Sequence, residues 1–454
     1  MQARLAVCLL VASLFAPGVV SAVTYDPTVN ADLHPGTIER PDANATVISV
    51  QGFHFRGKGS TKKPPRLVSV AGNGTLRWQY DGRATGTAWF YDVDPLPDGN
   101  LLVTSIKPGY TLVYELDPET RQRRWSERFD IEDTHDVDML DNGDLLVANM
   151  RQWNGNASRS DDRVFVYNRT TDEVVWEWSF RKHFPNDTDG GMNPDWTHVN
   201  DVEAVGNDTF LVSARNFDQV LLVNRTTKEI EWRLGRDDAY GTLNEQHNPD
   251  YLVSENGTPT ILVADSENDR VVEYARRDGE WVQTWEVGSK HLNWPRDADR
   301  LPNGNTLITD TLHHRVVEVT PRGKVVWEYY ATWGPYEAER LGTGDESNGP
   351  TMADVGAEGS YSLHGSAHLE PAGVTTYSPA QWATDTFAST PLAGPVDAVA
   401  ARWAHVTPWL RPVWLSGWDL LWALLGGLVL AGWLLVELYL GRGAIRARLR
   451  LRRA

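Results

Sequence analysis

Five times in this chain a short alternating stretch turns at an Asp/Asn/Gly cluster and re-enters an apolar strand. The segment DVDPLPDGNLLVTS (92–105) returns as DVDMLDNGDLLVAN (136–149), DVEAVGNDTFLVSA (201–214), PDYLVSENGTPTILVAD (249–265) and DADRLPNGNTLITD (297–310). Alternation of this kind, broken by turn residues, reads as a hairpin of half-buried strands. Each hairpin is followed by a second strand pair that ends in tryptophan, as in TLVYELDPETRQRRW (111–125) and VLLVNRTTKEIEWRL (220–234); RLVSVAGNGTLRWQY (66–80) is the outer pair of one more unit. Trp78, Trp125, Trp176, Trp232, Trp285 and Trp327 mark the six ends, 42 to 56 residues apart. Six units of four short strands at this period predict an all-β fold, a six-bladed β-propeller over 44–330. A tryptophan that recurs at one phase in every unit reads as packing between blades. The strand in 45–55 is expected to help close the ring.

The two ends of the chain have a different character. Residues 1–22 carry one charge, Arg4, before an apolar run that closes on Val20-Ser21-Ala22, the pattern of a cleaved signal peptide; an uncleaved N-terminal anchor is the alternative. Residues 23–43 form a short extension. Residues 331–415 are rich in Gly, Pro, Ser and Thr and read as a covering segment followed by a stalk. An apolar stretch over 416–440 is long enough to cross a bilayer once, with Trp414, Trp418, Trp422 and Trp433 at interfacial positions. The tail 441–454 holds six arginines and no acid. By the positive-inside rule it is cytoplasmic, which places the propeller outside the cell membrane.

Composition narrows the partners. The net charge is −18, and the region between the two apolar ends is more acidic still. Such a balance argues against nucleic acid, because no basic patch exists to displace counterions. An extracellular domain this acidic resembles haloarchaeal proteins, in which surface charge maintains hydration. The single cysteine, Cys8, lies in the signal segment and excludes a disulfide framework. Asn-x-Ser/Thr sequons at Asn44, Asn73, Asn156, Asn168, Asn186, Asn207, Asn224 and Asn256 suit an exposed, glycosylated face.

In a repeat, the positions that recur are structural and those that vary at one phase are candidates for chemistry. Asp92, Asp136, Asp201 and Asp297 recur and read as turn or strand-pairing residues. Three residues before the second acidic position stand Tyr91, His135, His247 and Arg296. In the fourth unit Asn200 takes that phase and the histidine is displaced to His198. After the second inner strand come Ser105, Asn149, Arg215, Asp265 and Asp310, of which only Arg215 is a cation. Innermost strands line a propeller's channel, so these side chains are expected to converge at one axial mouth and hold an anion such as sulfate, phosphate or carboxylate. A three-histidine zinc site is the other chemistry open to them, but the adjacent arginine opposes a metal, and none is expected. His313-His314 sits at a strand turn and sends at most one ring inward. No Gly-rich phosphate loop is present, so no nucleotide cofactor is expected.

The stretch Asp195-Trp196-Thr197-His198-Val199-Asn200, then Phe210 to Arg215, then Ile230-Glu231-Trp232-Arg233-Leu234-Gly235, resembles the nucleotide-independent arylsulfate sulfotransferase family. Thr134-His135-Asp136 resembles that family's earlier histidine, and Gln246-His247 its later one, which becomes transiently sulfated. The resemblance spans about 66–330. Unlike the bacterial members, this chain has no cysteine pair and only a short N-terminal extension. The resemblance implies transfer of a sulfuryl group from an aryl sulfate to a phenol, with no cofactor. It makes His247 the nucleophile, Arg215 the sulfate clamp, and His135 and His198 oxygen ligands or proton donors. Asn200, Tyr91 and Arg296 would bind substrate. The competing reading is a non-catalytic surface propeller that binds a sulfated or otherwise anionic glycan. A quinoprotein-like propeller would need oxygen ligands for calcium around a quinone, and the sequence offers no clear set.

Overall fold

The computed structural model describes residues 2–25, 33–52, 63–206, 208–289, 291–367 and 378–451. The Asn207 sequon, His368, the distal end of the expected 45–55 strand and the last three residues of the tail lie outside them. The chain divides into two compact units, Asp32–Ala367 and a second made of Met1–Ala31 with His368–Ala454.

The first unit is a six-bladed β-propeller with four-stranded blades. Blades 2 to 6 follow the sequence repeat, innermost strand first. Those innermost strands are Trp89–Pro95, Val137–Met139, Val199–Val205, His247–Val253 and Pro295–Arg300. Blade 1 is assembled from both ends of the unit. Its outer three strands, Thr46–Val50, Arg66–Val70 and Leu76–Asp81, precede the repeats, and its innermost strand, Pro335–Arg340, follows them. The ring therefore runs past the expected limit at residue 330. The strand expected near residue 45 is present, but it is the second strand of blade 1, and the closing strand comes from the Gly/Pro-rich segment. Two further strands extend blade edges: Leu33–Ile38 pairs antiparallel with Val325–Ala331, and Gly359–Tyr361 pairs parallel with Glu280–Val287.

Every pair of adjacent blades shares one apolar cluster, and each cluster takes in a terminal tryptophan. Trp327 of blade 6, 1% exposed, packs with Ile48, Val68 and Val70 of blade 1 and donates its indole N–H to Gly72 O at 2.9 Å. Trp285 reaches Pro321 O at 2.8 Å, and Trp176 reaches Arg225 O at 2.7 Å, each in the following blade. A buried indole with a satisfied N–H combines a large apolar area with a directional tether. Truncation of one such residue to alanine removes about 3–5 kcal/mol.

The second unit is helical. Gln2–Thr24 and Gly417–Gly441 are each long and apolar enough to cross a membrane, with hydropathy 2.3 and 2.0. Two polar contacts tie the first helix to the last: Arg4 to Glu437 at 2.7 Å and Ser21 Oγ to Asp419 Oδ2 at 2.8 Å. The two helices therefore run antiparallel. The stretch read as a stalk contains two helices, Pro379–Phe387 and Ala393–Leu410. Ser378 caps the first of them by accepting the N–H of Gln381 at 3.0 Å.

Candidate active site

Strand geometry alone would send neighbouring side chains to opposite faces. The innermost strands avoid this with bulges. In blade 4, Val199 faces Ala214 and Asp201 faces Ser213, which leaves Asn200 as the extra residue. Arg296 is the extra residue in blade 6 and Tyr336 in blade 1. Blades 2 and 5 carry the same irregularity between Phe90 and Val93 and between His247 and Asp250. A bulge re-aims a side chain and twists the strand locally. Here it lets the variable residue and the acid after it both turn toward the axis, on successive tiers.

The upper tier gathers all seven expected residues. His135 lies against Tyr91 (ring centroids 3.8 Å apart) and edge-on to His198 at 5.0 Å. Tyr336 sits between His135 and His247: its hydroxyl is 3.1 Å from His135 Nδ1, and its ring is 6.0 Å from that of His247. Arg296 covers the faces of Trp294 and Tyr336 at 3.8 and 4.9 Å. Asn200 Nδ2 donates to Gln246 O at 2.9 Å, beside His247. Arg215 pairs with Glu245. In blades 5 and 6 the position of Arg215 is an aspartate. Asp265 and Asp310 each bind an arginine of their own blade and accept a backbone N–H from the loop ahead of a neighbouring strand. Blade 4 has replaced a structural acid with a cation directed at the pocket.

The hydrogen bonds fix the state of His247. Ser266 Oγ donates to Pro295 O at 2.6 Å, so it accepts from His247 Nδ1 at 2.8 Å. Nδ1 therefore carries the proton, and Nε2 keeps its lone pair. That Nε2 is buried without a hydrogen-bond partner, as is Nε2 of His135. Burial, then Arg296 and Arg215, hold His247 well below the usual histidine range. Burial, then His198, Arg296 and Arg215, do the same to His135. His198 is pushed down to about 3 by burial and Arg215, against the pull of Asp195, which accepts from its Nδ1 at 3.0 Å. The three imidazoles are thus neutral at neutral pH, and the positive charge of the pocket comes from the arginines. Burial and its neighbour Arg296 lower Arg215 to about 10, which leaves it charged.

Several contributors were not foreseen. Tyr336 is the sixth member of the ring. Its segment, Tyr336-Glu337-Ala338-Glu339, repeats Arg296-Asp297-Ala298-Asp299 with Glu for Asp, a signal that was present in the sequence. Arg151 binds Asp195 at 2.7 Å and also pairs with Asp133. Asp133 in turn accepts from the Tyr91 hydroxyl at 2.8 Å. This chain of contacts braces Tyr91 and His198 from behind. Asp133, Arg151, His198, Glu245, Asn248 and Trp294 all adopt positive φ between 37° and 67°. Left-handed backbone at non-glycine residues, clustered around one pocket, is the strain that functional sites concentrate. His313 and His314 do not contribute: the first bonds Asp310 at 2.9 Å and the second accepts the N–H of Gly334 at 3.1 Å.

The lower tiers are acidic. Asp92, Asp136, Asp201, Asp297 and Glu337 form the first, with Asn248 in the sixth place. Asp94, Asp138, Glu203, Asp250, Asp299 and Glu339 form the second, one from each blade. The expected strand-pairing role is visible in the first tier. Asp92 accepts Val137 N, Asp136 accepts Val202 N, Asp297 accepts Ala338 N and Glu337 accepts Val93 N, each donor belonging to the next blade round the ring.

A family model described as Arylsulfotransferase (ASST) matches residues 44–248, just under half of the chain, and takes in His135, His198, Asn200, Arg215 and His247. A second, described as Outer membrane protein assembly factor BamB, matches residues 160–391, just over half. By that extent of match the chain belongs to the BamB family. The two spans overlap over residues 160–248, which take in the outer strands of blade 3, all of blade 4 with the Asp195–Asn200 motif and Arg215, and His247. No curated protein matches the chain significantly. Among solved structures it is similar to a protein of unknown function from Bacteroides caccae, at 14% identity over 65% of this chain and 98% of that one, with a TM-score of 0.44. It is also similar to a catalytically inactive virginiamycin B lyase from Staphylococcus aureus with quinupristin, at 11% identity over 67% and 86%, with a TM-score of 0.39.

Proposed function

We propose that the chain is a membrane-anchored arylsulfate sulfotransferase that works through a sulfohistidine at His247. The observation that carries this reading is the buried, unpartnered Nε2 of His247, with its Nδ1 proton fixed by Ser266 and with two arginines beside it. Sulfuryl transfer resembles phosphoryl transfer: a loose transition state with charge spread over peripheral oxygens. The Nε2 lone pair attacks sulfur, the S–O bond to the aryl oxygen breaks, and the phenolate leaves. Arg215 and Arg296 hold the sulfuryl oxygens. The aryl oxygen leaves as the phenolate and takes its proton from water, because neutral His198 keeps its one proton on Nδ1, against Asp195, and has none to give. Asn200 and the Tyr91 hydroxyl orient substrate. A second phenol then gives its proton to the unprotonated Nε2 of His198 and takes the sulfuryl group from Nε2 of His247, and His198 releases that proton to water. The scheme requires no nucleotide.

The antiparallel pairing of Arg4 with Glu437 and of Ser21 with Asp419 favours retention of the N-terminal helix as a second anchor over removal as a signal peptide. Both helices would then place their charged ends in the cytoplasm and the propeller outside, in a host adapted to salt. A second functional reading, a non-catalytic propeller that binds an anionic ligand or glycan, is favoured by the BamB-type match. Incubation of the full-length protein in detergent and high salt with 4-nitrophenyl sulfate and a phenol separates the two. An enzyme releases nitrophenol in proportion to acceptor sulfated. Saturable binding with no release leaves the non-catalytic reading standing.

A further inference from the structure

Beneath the histidines the channel is lined almost wholly by carboxylates. Two groups within it stand out. The oxygens of Asp92, Asp94 and Glu337 lie within 4.8 Å of one another, as do those of Asp297, Asp299 and Glu339. All six residues are buried. A buried charge is ordinarily paired or bound to a metal. Among the described residues none of these six makes an ion pair within 4 Å. The nearby guanidinium groups of Arg300 and Arg340 are taken by Glu273 and Glu318.

A second observation points the same way. Asp94 and Asp299, 6% and 7% exposed, each have one carboxylate oxygen, Oδ2, with no hydrogen-bond partner, and both residues line the channel. Asp92, Asp297 and Glu337 differ in this respect: each gives one oxygen to a backbone N–H of the neighbouring blade. Each group therefore combines at least one carboxylate already fixed by the ring with one that is buried and unsatisfied.

We propose that the axial channel is a divalent-cation site, with Ca²⁺ held by the Asp92–Asp94–Glu337 and Asp297–Asp299–Glu339 carboxylates. An all-oxygen donor set suits hard cations and disfavours zinc or copper. The donor set selects between hard cations: Ca²⁺ takes six to eight oxygens in flexible geometry, whereas Mg²⁺ dehydrates reluctantly and is held by one or two carboxylates with several waters. Three buried carboxylates in each group suit the larger ion. The cation would also brace the pocket above. Tyr91, Arg296 and Tyr336 each immediately precede one of its ligands, so a metal that fixes Asp92, Asp297 and Glu337 fixes the bulges that aim those three side chains. The inference rests on the channel alone and does not depend on sulfotransferase activity.

The test uses full-length protein in detergent, stripped with EGTA and titrated calorimetrically with CaCl₂ and, separately, MgCl₂ at constant KCl. Asp94→Asn/Asp299→Asn is compared with Asp130→Asn, a change at a surface carboxylate 82% exposed. Wild type and Asp130→Asn should bind Ca²⁺ saturably with at least one ion per chain, and the double variant should bind at least about tenfold more weakly. A binding isotherm in the double variant equal to that of wild type would place the ion elsewhere and overturn the proposal. Equal or tighter binding of Mg²⁺, or loss of Ca²⁺ binding to KCl competition, would overturn the assignment to Ca²⁺. If the double variant does not fold, the melting temperature of wild type decides. It should rise by several degrees between EGTA and millimolar CaCl₂, as for any ligand that binds only the native state. An unchanged melt refutes the site.

Discussion

Two tiers of the same channel, one residue apart in sequence, have opposite characters. The upper holds Tyr91, His135, Asn200, His247, Arg296 and Tyr336, a different set of chemical groups from blade to blade. The lower holds Asp92, Asp136, Asp201, Asn248, Asp297 and Glu337, which is close to uniform. The upper is buried and the lower buried or half-buried, and in five of the six blades both depend on the same bulges. The uniform tier stitches four of the six blades to the next through backbone N–H groups, a task common to most of the ring, so the repeat preserves it. In the function proposed above the varied tier serves one asymmetric ligand, which is a reason for the repeat to be abandoned there. The comparison teaches that in a propeller the departure from periodicity locates chemistry and the periodicity locates structure.

The comparison breaks first at His247. His247→Ala should lower transfer from 4-nitrophenyl sulfate by about 10⁴-fold or more, because it removes the nitrogen proposed to form the intermediate. Donor supplied without acceptor should add one sulfuryl group to His247 in wild type, read by mass spectrometry under alkaline conditions. Modification of a different residue in an active enzyme would reassign the nucleophile. Arg215→Ala should cost about 10²–10³, the usual effect of one transition-state charge contact. Neither variant should move the melting temperature by more than a few degrees, since neither residue holds blades together.

Adjacent residues sharpen the contrast further. Arg296→Gln should reduce turnover and leave stability nearly intact. Asp297→Ala, one position on, should do the reverse. It strips the acceptor from the Ala338 N–H, which is 3.0 Å from Asp297 Oδ2 in the wild type. A buried donor left unpaired costs about 1–3 kcal/mol, measurable by urea unfolding of the detergent-solubilised protein. If Asp297→Ala is the more damaging to turnover at equal folded fraction, the division of labour between tiers is wrong.

The sequence made the varied tier legible and left the acidic channel obscure, and the reasons are physical. Six tryptophans at one phase announce six blades because each must fill the same gap between neighbours. His135, His198, Arg215 and His247 announce a site because they violate that phase. Asp92, Asp136, Asp201 and Asp297 read one at a time as pairing residues, and Asp92, Asp136 and Asp297 do accept a backbone N–H. Their gathering in one channel arises only when the ring closes, and nothing in a linear pattern expresses it. The strand that closes the ring was missed because Pro335–Arg340 stands alone after the repeats, with no hairpin partner beside it and Glu where its counterparts have Asp. Arg151 was missed for a different reason: its role is to brace Asp133 and Asp195, two residues that come together only in the fold.

The smallest expected effect concerns acid, and it isolates the varied tier from the uniform one. His198 titrates at about 3 in the folded protein, because burial and Arg215 disfavour the imidazolium more than Asp195 favours it. Unfolded, it titrates near 6.5. Between these values the unfolded chain binds the extra proton, so stability is fully present above about pH 6.5 and is lost as pH falls toward 3. The slope for one such group is at most about 1.4 kcal/mol per pH unit. The carboxylates of the channel act in the opposite sense. Burial pushes Asp138 up to about 6, so protons are bound in the fold before they are bound in the unfolded chain. The net profile of wild type is therefore a poor test, and a difference is a good one. Asn at position 198 can still donate to Asp195 and does not titrate. His198→Asn should be less stable than or equal to wild type at pH 7 and should lose less stability between pH 6.5 and 4.5, by about 1–2 kcal/mol, in urea unfolding. Parallel profiles for the two proteins would mean that His198 is not held neutral by its surroundings, and the proton-acceptor role proposed for it would have to move to another group in the pocket.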